Sequence, residues 1–496
     1  MMQSMFLSGL LCTVLFLPLF LGLGLIITKP LSKKSIFGPA ILLNLFCLLA
    51  SACLMRCIDV DESDFHFTVQ VNLIRHIGLD FFIGADAISL SLIILTCFLT
   101  LLSSIYLAWS EEENQQGIIG LLLILQSLVN AAFASLNLLL FYIFFEMAIV
   151  PMYFIIGIWG GENRIYASYK FFIYTLFASL LFIICIISLY ANLGTLNLLE
   201  LYNQEHLLTK SQAELIWWGI FISFAIKLPI VPLHTWLPSA HVQAPSVGSV
   251  ILAGVLLKMG GFGFLRILLP ILPLTTQSFA IYGLYLGGFA IIYASLVASG
   301  QKDIKKMIAY SSIAHMGYVN IGIFSLNVTS ISGAIFQMLS HGLICAGLFF
   351  VIGSVYTRFH TRQINSLGAL ADKMPHLACA YMVFTLGSIA LPGTSGFIGE
   401  FLSLSGTFDK HPIIASCAGA GMVFGAVYLL SLYKRVMFGQ TQNPKIVKLK
   451  PQESALNVGE KIVFLSLAFC IIFFGIAAHL VLDSLHQPIK KLLYVR

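Results

Sequence analysis

The stretch FAIKLPIVPLHTWLP, residues 224–238, sets Lys227 against Pro229 and Pro232 inside an otherwise apolar run. Each proline removes a backbone donor and breaks a helix. Within a membrane such a break is tolerated only where the freed carbonyls meet protein or water, so a lysine beside it has a polar cavity to point into. The run LPGTSGFIGE, 391–400, repeats the arrangement, with Pro392, Gly393 and Gly396 interrupting a second apolar segment that closes on Glu400. Two discontinuous helices carrying ionisable groups are the sequence mark of an ion translocator built from internal repeats.

The rest of the 496 residues fits a membrane setting. Hydrophobic residues make up 59% of the chain and charged residues 10%, against about 25% charged in a soluble domain. A water-soluble fold is excluded, because too few polar residues remain to cover its surface. Measured against the roughly 20 apolar residues that a spanning helix needs, fourteen stretches qualify: 5–27, 36–55, 84–107, 117–134, 136–158, 170–192, 215–232, 246–267, 278–298, 305–326, 331–356, 377–405, 412–437 and 461–482. Only a short turn near Ser135 and Asn137 divides the fourth from the fifth. The expected fold is an all-α polytopic membrane protein with about 14 transmembrane helices and two inverted five-helix repeats containing discontinuous helices. Its parts are an N-terminal three-helix segment over 1–110, a first repeat over 117–267 broken near 227–232, a second over 278–437 broken near 391–396, and an inside loop with the last helix over 438–496. An odd number of crossings per repeat turns the second upside down relative to the first.

Lys and Arg in alternate loops number seventeen on one side and eight on the other. By the positive-inside rule both termini face the electrically positive side, and the loop 56–83, with Asp59, Asp61, Glu62 and Asp64, is external. The net charge of +6 is too dilute over this length for nucleic-acid binding. The first apolar stretch outruns a cleavable signal and no Arg-rich presequence is present; the expectation is a bacterial inner membrane or synthesis inside an organelle. The ten Cys are scattered, mostly in apolar runs, and read as small buried hydrophobes. Cys53 and Cys57 lie one helical turn apart without the further ligands that a metal site needs. The glycines of KMGGFGF (Gly260, Gly261, Gly263) follow no strand, so they read as close helix packing and not as a phosphate loop.

An ionised side chain at a helix centre costs about 2.5 to 3.5 kcal/mol on insertion scales, so charges retained there are functional by default. Four stand out: Glu146 in LLLFYIFFEMAIVPMYF, Lys227, Lys258 in VILAGVLLKMGGFGFLR, and Glu400. Burial and an opposite charge act in opposing senses on a proton equilibrium. A Glu and a Lys that approach and separate therefore form a switch; the plainer alternative is a static pair that fixes helix packing. His315 in AYSSIAHMGYV and His341 in QMLSHGLI lie near the middle of their helices. Imidazole passes a proton from one ring nitrogen to the other, so Lys258, His315, His341 and Glu400 read, in that order, as a relay across the bilayer plane, or each His as an interhelical hydrogen-bonding group. His234 and His241 flank Trp236 at the inside end of the seventh stretch. They are candidates for proton uptake or interface anchors.

Together these residues resemble the antiporter-like subunits of respiratory complex I. The match is carried by LLLFYIFFEMAIVPMYFIIGIWG, AIKLPIVPLHTWLPSAHVQAPSVGSVILAGVLLKMGGFGFLR, QKDIKKMIAYSSIAHMGYV, QMLSHGL and LPGTSGFIGEFL, in family order over nearly the whole chain and weakest before Phe82 and after Gly439. The resemblance implies a proton-translocating membrane-arm subunit working while NADH is oxidised and quinone reduced elsewhere in a large hetero-oligomer. Residue by residue, Glu146 and Lys227 match the family's coupled pair, Lys258 its central lysine, and Glu400 the acidic residue of the second broken helix. Neighbouring subunits and related Na⁺/H⁺ antiporter chains carry Lys at that last position, so Glu400 argues for the chain 4 type. Asn137 stands where many relatives have Asp, and Ser239 where Glu or Asp is usual. The implied surroundings are the other membrane-arm subunits and the lipid bilayer of the mitochondrial inner membrane, with a bacterial inner membrane as the alternative. No flavin, iron–sulfur or nicotinamide site is readable; no cofactor or metal is expected on this chain, and NADH, FMN, iron–sulfur clusters and ubiquinone fall to other subunits. Two rival functions stay open, an autonomous cation/proton antiporter and a structural spacer whose charges form static pairs.

Overall fold

A chain surrounded by hydrocarbon must satisfy its backbone polar groups within itself, and helices do so segment by segment. The computed structural model describes residues 2–58, 65–110, 114–202, 204–441, 443–449 and 454–494. Asp59, Asp61, Glu62 and Asp64 of the expected acidic loop lie outside the described residues, as do Lys450 and Arg496 of the loop tally. The principal helices are α1 (Met2–Ile27), α2 (Lys33–Arg56), α3 (Ala87–Ala108), α4 (Gln115–Ala134), α5 (Leu138–Trp159), α6 (Arg164–Leu193), α7 (Lys210–Lys227), α8 (Trp236–Gln243), α9 (Ser246–Ile271), α10 (Pro273–Ser299), α11 (Ile304–Phe324), α12 (Val328–Phe359), α13 (Pro375–Ser388), α14 (Ser395–Phe408), α15 (Pro412–Met437), α16 (Val458–Ile476) and α17 (His479–Tyr494).

Among the described residues, eleven helices are long and apolar enough to cross a membrane. The expected count of fourteen is thus not established by length and composition. The three expected spans that fall short are 215–232, 305–326 and 377–405, and they hold Lys227, His315 and Glu400. All three are nonetheless helical, as α7, α11 and the pair α13 and α14. The core sits on α9, whose span is 100% buried, and α12, at 94%. By contrast α1, α15 and α16 are 33% buried and turn most of their apolar surface outward.

The turn at Ser135 and Asn137 separates α4 from α5 as expected. Both expected breaks are also present. α7 stops at Lys227, and the unwound backbone runs to Trp236, whose indole N–H donates to the Ile226 carbonyl at 2.9 Å. α13 stops at Ser388 and α14 begins at Ser395, with Leu391 N–H donating to Leu386 O at 3.1 Å across the gap. α9 is widened by π turns at Leu252–Leu256 and Phe264–Leu268, which bracket Lys258. Gly260 lets α9 lie directly on the end of α7: a Cβ there would stand 2.7 Å from Leu228 N and 2.9 Å from Phe224 O.

Two expectations need correction. The segment before α3 is not an irregular loop but an antiparallel hairpin, β1 (His66–Ile74) with β2 (Leu79–Ala85), pairing Val69 with Ile83 and Val71 with Phe81. Its signal was the alternation Phe67, Val69, Val71, Leu73, a period of two that a search for spanning helices passes over. The last stretch, 461–482, is also not one helix: α16 ends at Ile476, and after Ala477 and Ala478 a separate helix, α17, begins. Its sequence mixes Asp483, Lys490 and Lys491 with apolar residues, of which Leu485, Ile489 and Leu492 are buried.

The hairpin is tied to the helices by side chains that do double duty. Asn137 accepts from Leu139 and Leu140 N–H, both at 3.1 Å, capping α5, and its amide donates to the Gly78 carbonyl at 2.9 Å. An ionised aspartate could make the cap but not the donation, which gives a physical reason for Asn at this position. Asp86 accepts from Ser89 N–H at 3.0 Å at the start of α3, while its other oxygen pairs with the buried Arg266 of α9. Arg266 also lies over the Phe65 ring, 4.7 Å from its centroid.

Asp86→Asn keeps the cap but removes the charge, and breaking a buried pair from one side costs about 3 to 5 kcal/mol; thermal unfolding of the purified protein should show a clear drop in midpoint. Gly260→Ala, which forces α9 off α7, should cost about 1 to 3 kcal/mol by the same measurement.

Candidate functional site

Lys258 has no exposed surface (0%). A π turn shifts the backbone bonding from the fourth residue to the fifth, and within the turn Leu252–Leu256 the Ala253 carbonyl accepts from Lys258 Nζ at 2.5 Å. The same Nζ lies 2.7 Å from His341 Nδ1 on α12. Charge is thus held in the interior by one backbone carbonyl and one imidazole. On the far side of the His341 ring, Nε2 is 3.1 Å from Cys345 Sγ, and Cys345 Sγ is 3.4 Å from Ser312 Oγ on α11.

The second group centres on Glu400. Its Oε1 lies 2.7 Å from His315 Nδ1 and accepts from Gln337 Nε2 at 3.1 Å. His315 Nε2 meets Ser388 Oγ at 3.2 Å, at the last residue of α13 before the break. Gly399 makes room here, because any Cβ at that position would collide with Gln337. A cavity of about 10 Å³ lined by His315, Tyr318, Ser388, Glu400 and Tyr428 borders the pair, close to the room that a single water needs.

The two groups meet at the histidines, and here the expected order is corrected. Lys258 touches His341 and Glu400 touches His315, so the order in space is Lys258, His341, His315, Glu400, with 5.6 Å between the two ring centroids. The cause is packing. α12 lies against both α9 and α14, and α11 against both α12 and α14, so each imidazole faces a partner that chain order does not predict.

Lys227 closes α7 and is 4% exposed. Its Nζ donates to the Phe145 carbonyl at 3.4 Å and stands 3.9 Å from the centroid of the Phe145 ring, a cation–π contact in an aromatic surround that includes Phe141, Phe182 and Phe224. Glu146, the next residue, faces Lys227. Among the described residues the two make no contact of ion-pair length.

His234 and His241 are both buried, which removes the interface-anchor reading. His234 lies apart from the line of groups, against Tyr293 and Tyr310 with ring centroids at 5.4 and 6.2 Å. His241 stacks on Phe349 at 4.7 Å and feels the charges of both Lys305 and Lys258. Lys305 donates to the Ala244 carbonyl just past the end of α8 and lines a cavity of about 290 Å³ with Gln243, Ser246, Tyr356 and Arg362.

Sequence reasoning did not single out Lys305, Gln337, Ser388 and Cys345, and it left Ser312, with Ser311 and Tyr310, open between holding water and capping polar backbone. Lys305 follows Asp303 in the polar run QKDIKK and looks like an ordinary helix-start cation. The other three are neutral, and nothing in a single sequence separates a polar residue that faces a buried His or Glu from one that caps its own helix. KMGGFGF was read correctly as close packing, since Gly260 and Gly263 both admit the Phe224 region of α7.

Residues 135–427 match the family described as NADH:quinone oxidoreductase/Mrp antiporter, TM. The chain is 47% identical over 486 residues to NADH-quinone oxidoreductase subunit M of Rickettsia prowazekii (strain Madrid E), covering 97% of each. It is 41% identical over 488 residues to NADH-ubiquinone oxidoreductase chain 4 of Marchantia polymorpha, covering 98% of this chain and 96% of that one. In three dimensions it is similar to a chain of respiratory complex I from Thermus thermophilus with bound NADH, with a TM-score of 0.86 at 27% identity over 97% of this chain and 99% of the other. A chain of the Mrp complex from Dietzia sp. DQ12-45-1b shares the fold, with a TM-score of 0.88 at 19% identity over 99% and 98%. The chain belongs to the NADH:quinone oxidoreductase/Mrp antiporter family of transmembrane proteins.

Proposed function

We propose that this multi-pass membrane protein is a proton-translocating subunit in the membrane arm of NADH:quinone oxidoreductase, and that its path runs through Lys258, His341, His315 and Glu400. The observation that carries the path is the pair of 2.7 Å contacts, Lys258 to His341 and His315 to Glu400, with the two imidazoles facing each other between them. Family membership and the near-complete coverage of relatives named as subunits of this enzyme support the assignment. The oxidation of NADH and the reduction of quinone, with their flavin and iron–sulfur groups, take place on partner subunits.

Protons are taken up on the basic side through the cavity at Gln243 and Lys305, and His241, which feels the charges of both Lys305 and Lys258, is favoured over His234 as the first imidazole. Lys258 passes a proton to His341 Nδ1. Transfer to His315 needs a turn of the ring or an intervening water, and Glu400 is the last acceptor before release on the positive side. Glu146 and Lys227 act as the switch: their approach and separation change the field on the neighbouring α9. The two helix breaks support a division into inverted five-helix units over 117–267 and 278–437. The excess of Lys and Arg in alternate loops supports termini on the positive side. The mitochondrial inner membrane is the proposed location, supported by the plant chain 4 relatives.

In the assembled complex, Lys258→Ala and Glu400→Gln should each lower NADH-driven proton translocation by about 100-fold or more, the scale on which a positioned proton-transfer group acts. Lys227→Ala should abolish it. Normal pumping by these variants with the complex intact on native gels overturns the proposal.

A further inference from the structure

His341 is engaged on both edges. Nδ1 faces Lys258 Nζ at 2.7 Å, and Nε2 faces Cys345 Sγ at 3.1 Å from one helical turn further along α12. The hydrogen positions follow from what each group can do. An ammonium only donates, so with Lys258 charged Nδ1 accepts and the ring proton of neutral His341 sits on Nε2, pointing at sulfur. Cys345 then donates S–H to Ser312 Oγ at 3.4 Å, and Ser312 donates to the Ile308 carbonyl at 3.1 Å. Every hydrogen in this row has an acceptor. A proton passed from Lys258 to Nδ1 makes the ring an imidazolium whose Nε2–H still points at sulfur; once Nε2 has given that proton to His315 the ring is neutral, Nδ1–H donates to the amine, and Nε2 accepts from the thiol. The sulfur fits each form of the ring.

It is also a weak partner, both as donor and as acceptor. His315, with which the relay must communicate, is bonded to Glu400 and Ser388 and stands 5.6 Å away between ring centroids. As held, the Nε2 of His341 is aimed at Cys345 and not at His315. We propose that Cys345 is a positioning residue for the relay: its thiol keeps the His341 ring on Lys258 and off His315, so that transfer between the two halves waits for this weak bond to open. Cys345 does not itself carry the proton, because the row beyond it ends on the Ile308 carbonyl within α11. The inference rests on the relay proposed above.

The test is the proton-to-NADH ratio of the assembled complex in its native membrane for Cys345→Ser, Cys345→Ala and Cys345→Val, beside Lys258→Ala as reference. Serine can both donate and accept, alanine and valine neither, and valine fills the space. The expected result is that Ser keeps the wild-type ratio while Ala and Val lower it by between about 2-fold and about 30-fold, the span over which residues along a coupling network act. A thiol that merely fills volume would be replaced best by Val or Ala and worst by Ser. That order, equal loss in all three, or no loss in any overturns the role of Cys345 while leaving the relay standing. A wild-type ratio in Lys258→Ala overturns the relay and this inference with it.

Discussion

Hydrocarbon penalises an unpaired charge heavily, and Lys227, Lys258 and Glu400 each lie at or near an irregular piece of backbone. Lys227 is the last residue of a helix that stops in mid-membrane, where the carbonyl end of the helix dipole favours a cation. Lys258 stands between two π turns and bonds a carbonyl within one of them. Glu400 follows the unwound link between α13 and α14, and its imidazole partner also reaches the residue that closes α13. Regular helix would leave these charges facing aliphatic side chains. The breaks and wide turns supply the polar atoms that make the charges affordable, and the same places make the helices short or less apolar than an ordinary span.

That coincidence explains how much of the site was legible in the sequence. Pro229, Pro232, Pro392 and Gly393 announce the breaks, and a Lys or Glu beside them announces a polar interior, because the two signals need each other physically. Lys227 and Glu400 could be picked out by these breaks, and Glu146 and Lys258 as charges inside apolar runs, without a structure. The sequence could not order the histidines, since which imidazole meets which charge depends on how α9, α11, α12 and α14 face one another. Nor could it show that Gln337 shares Glu400 with His315, or that Cys345 touches His341, because a neutral side chain inside a helix carries no mark of what it faces.

The hairpin teaches a related lesson about fold. Its alternation of Phe67, Val69, Val71 and Leu73 is a strand signal, yet composition suited to lipid directs attention to runs of twenty. Asn137 and Asp86 join this small sheet to the bundle by using different atoms of one side chain for a helix cap and for a distant partner. The eleven strongly apolar helices were readable from composition alone; these joints were not.

Gly260 has one more effect. It lets the backbone of α9 rest on the backbone of α7 at Phe224 and Leu228, immediately beside Lys227 and two residues from Lys258. The two nearest atoms in that contact belong to backbone, which yields less to a displacement than the end of a side chain does. The two lysines are consequently joined by a stiff mechanical linkage as well as by their fields: a shift of the end of one helix is delivered to the other as motion, with little between them to take up the slack.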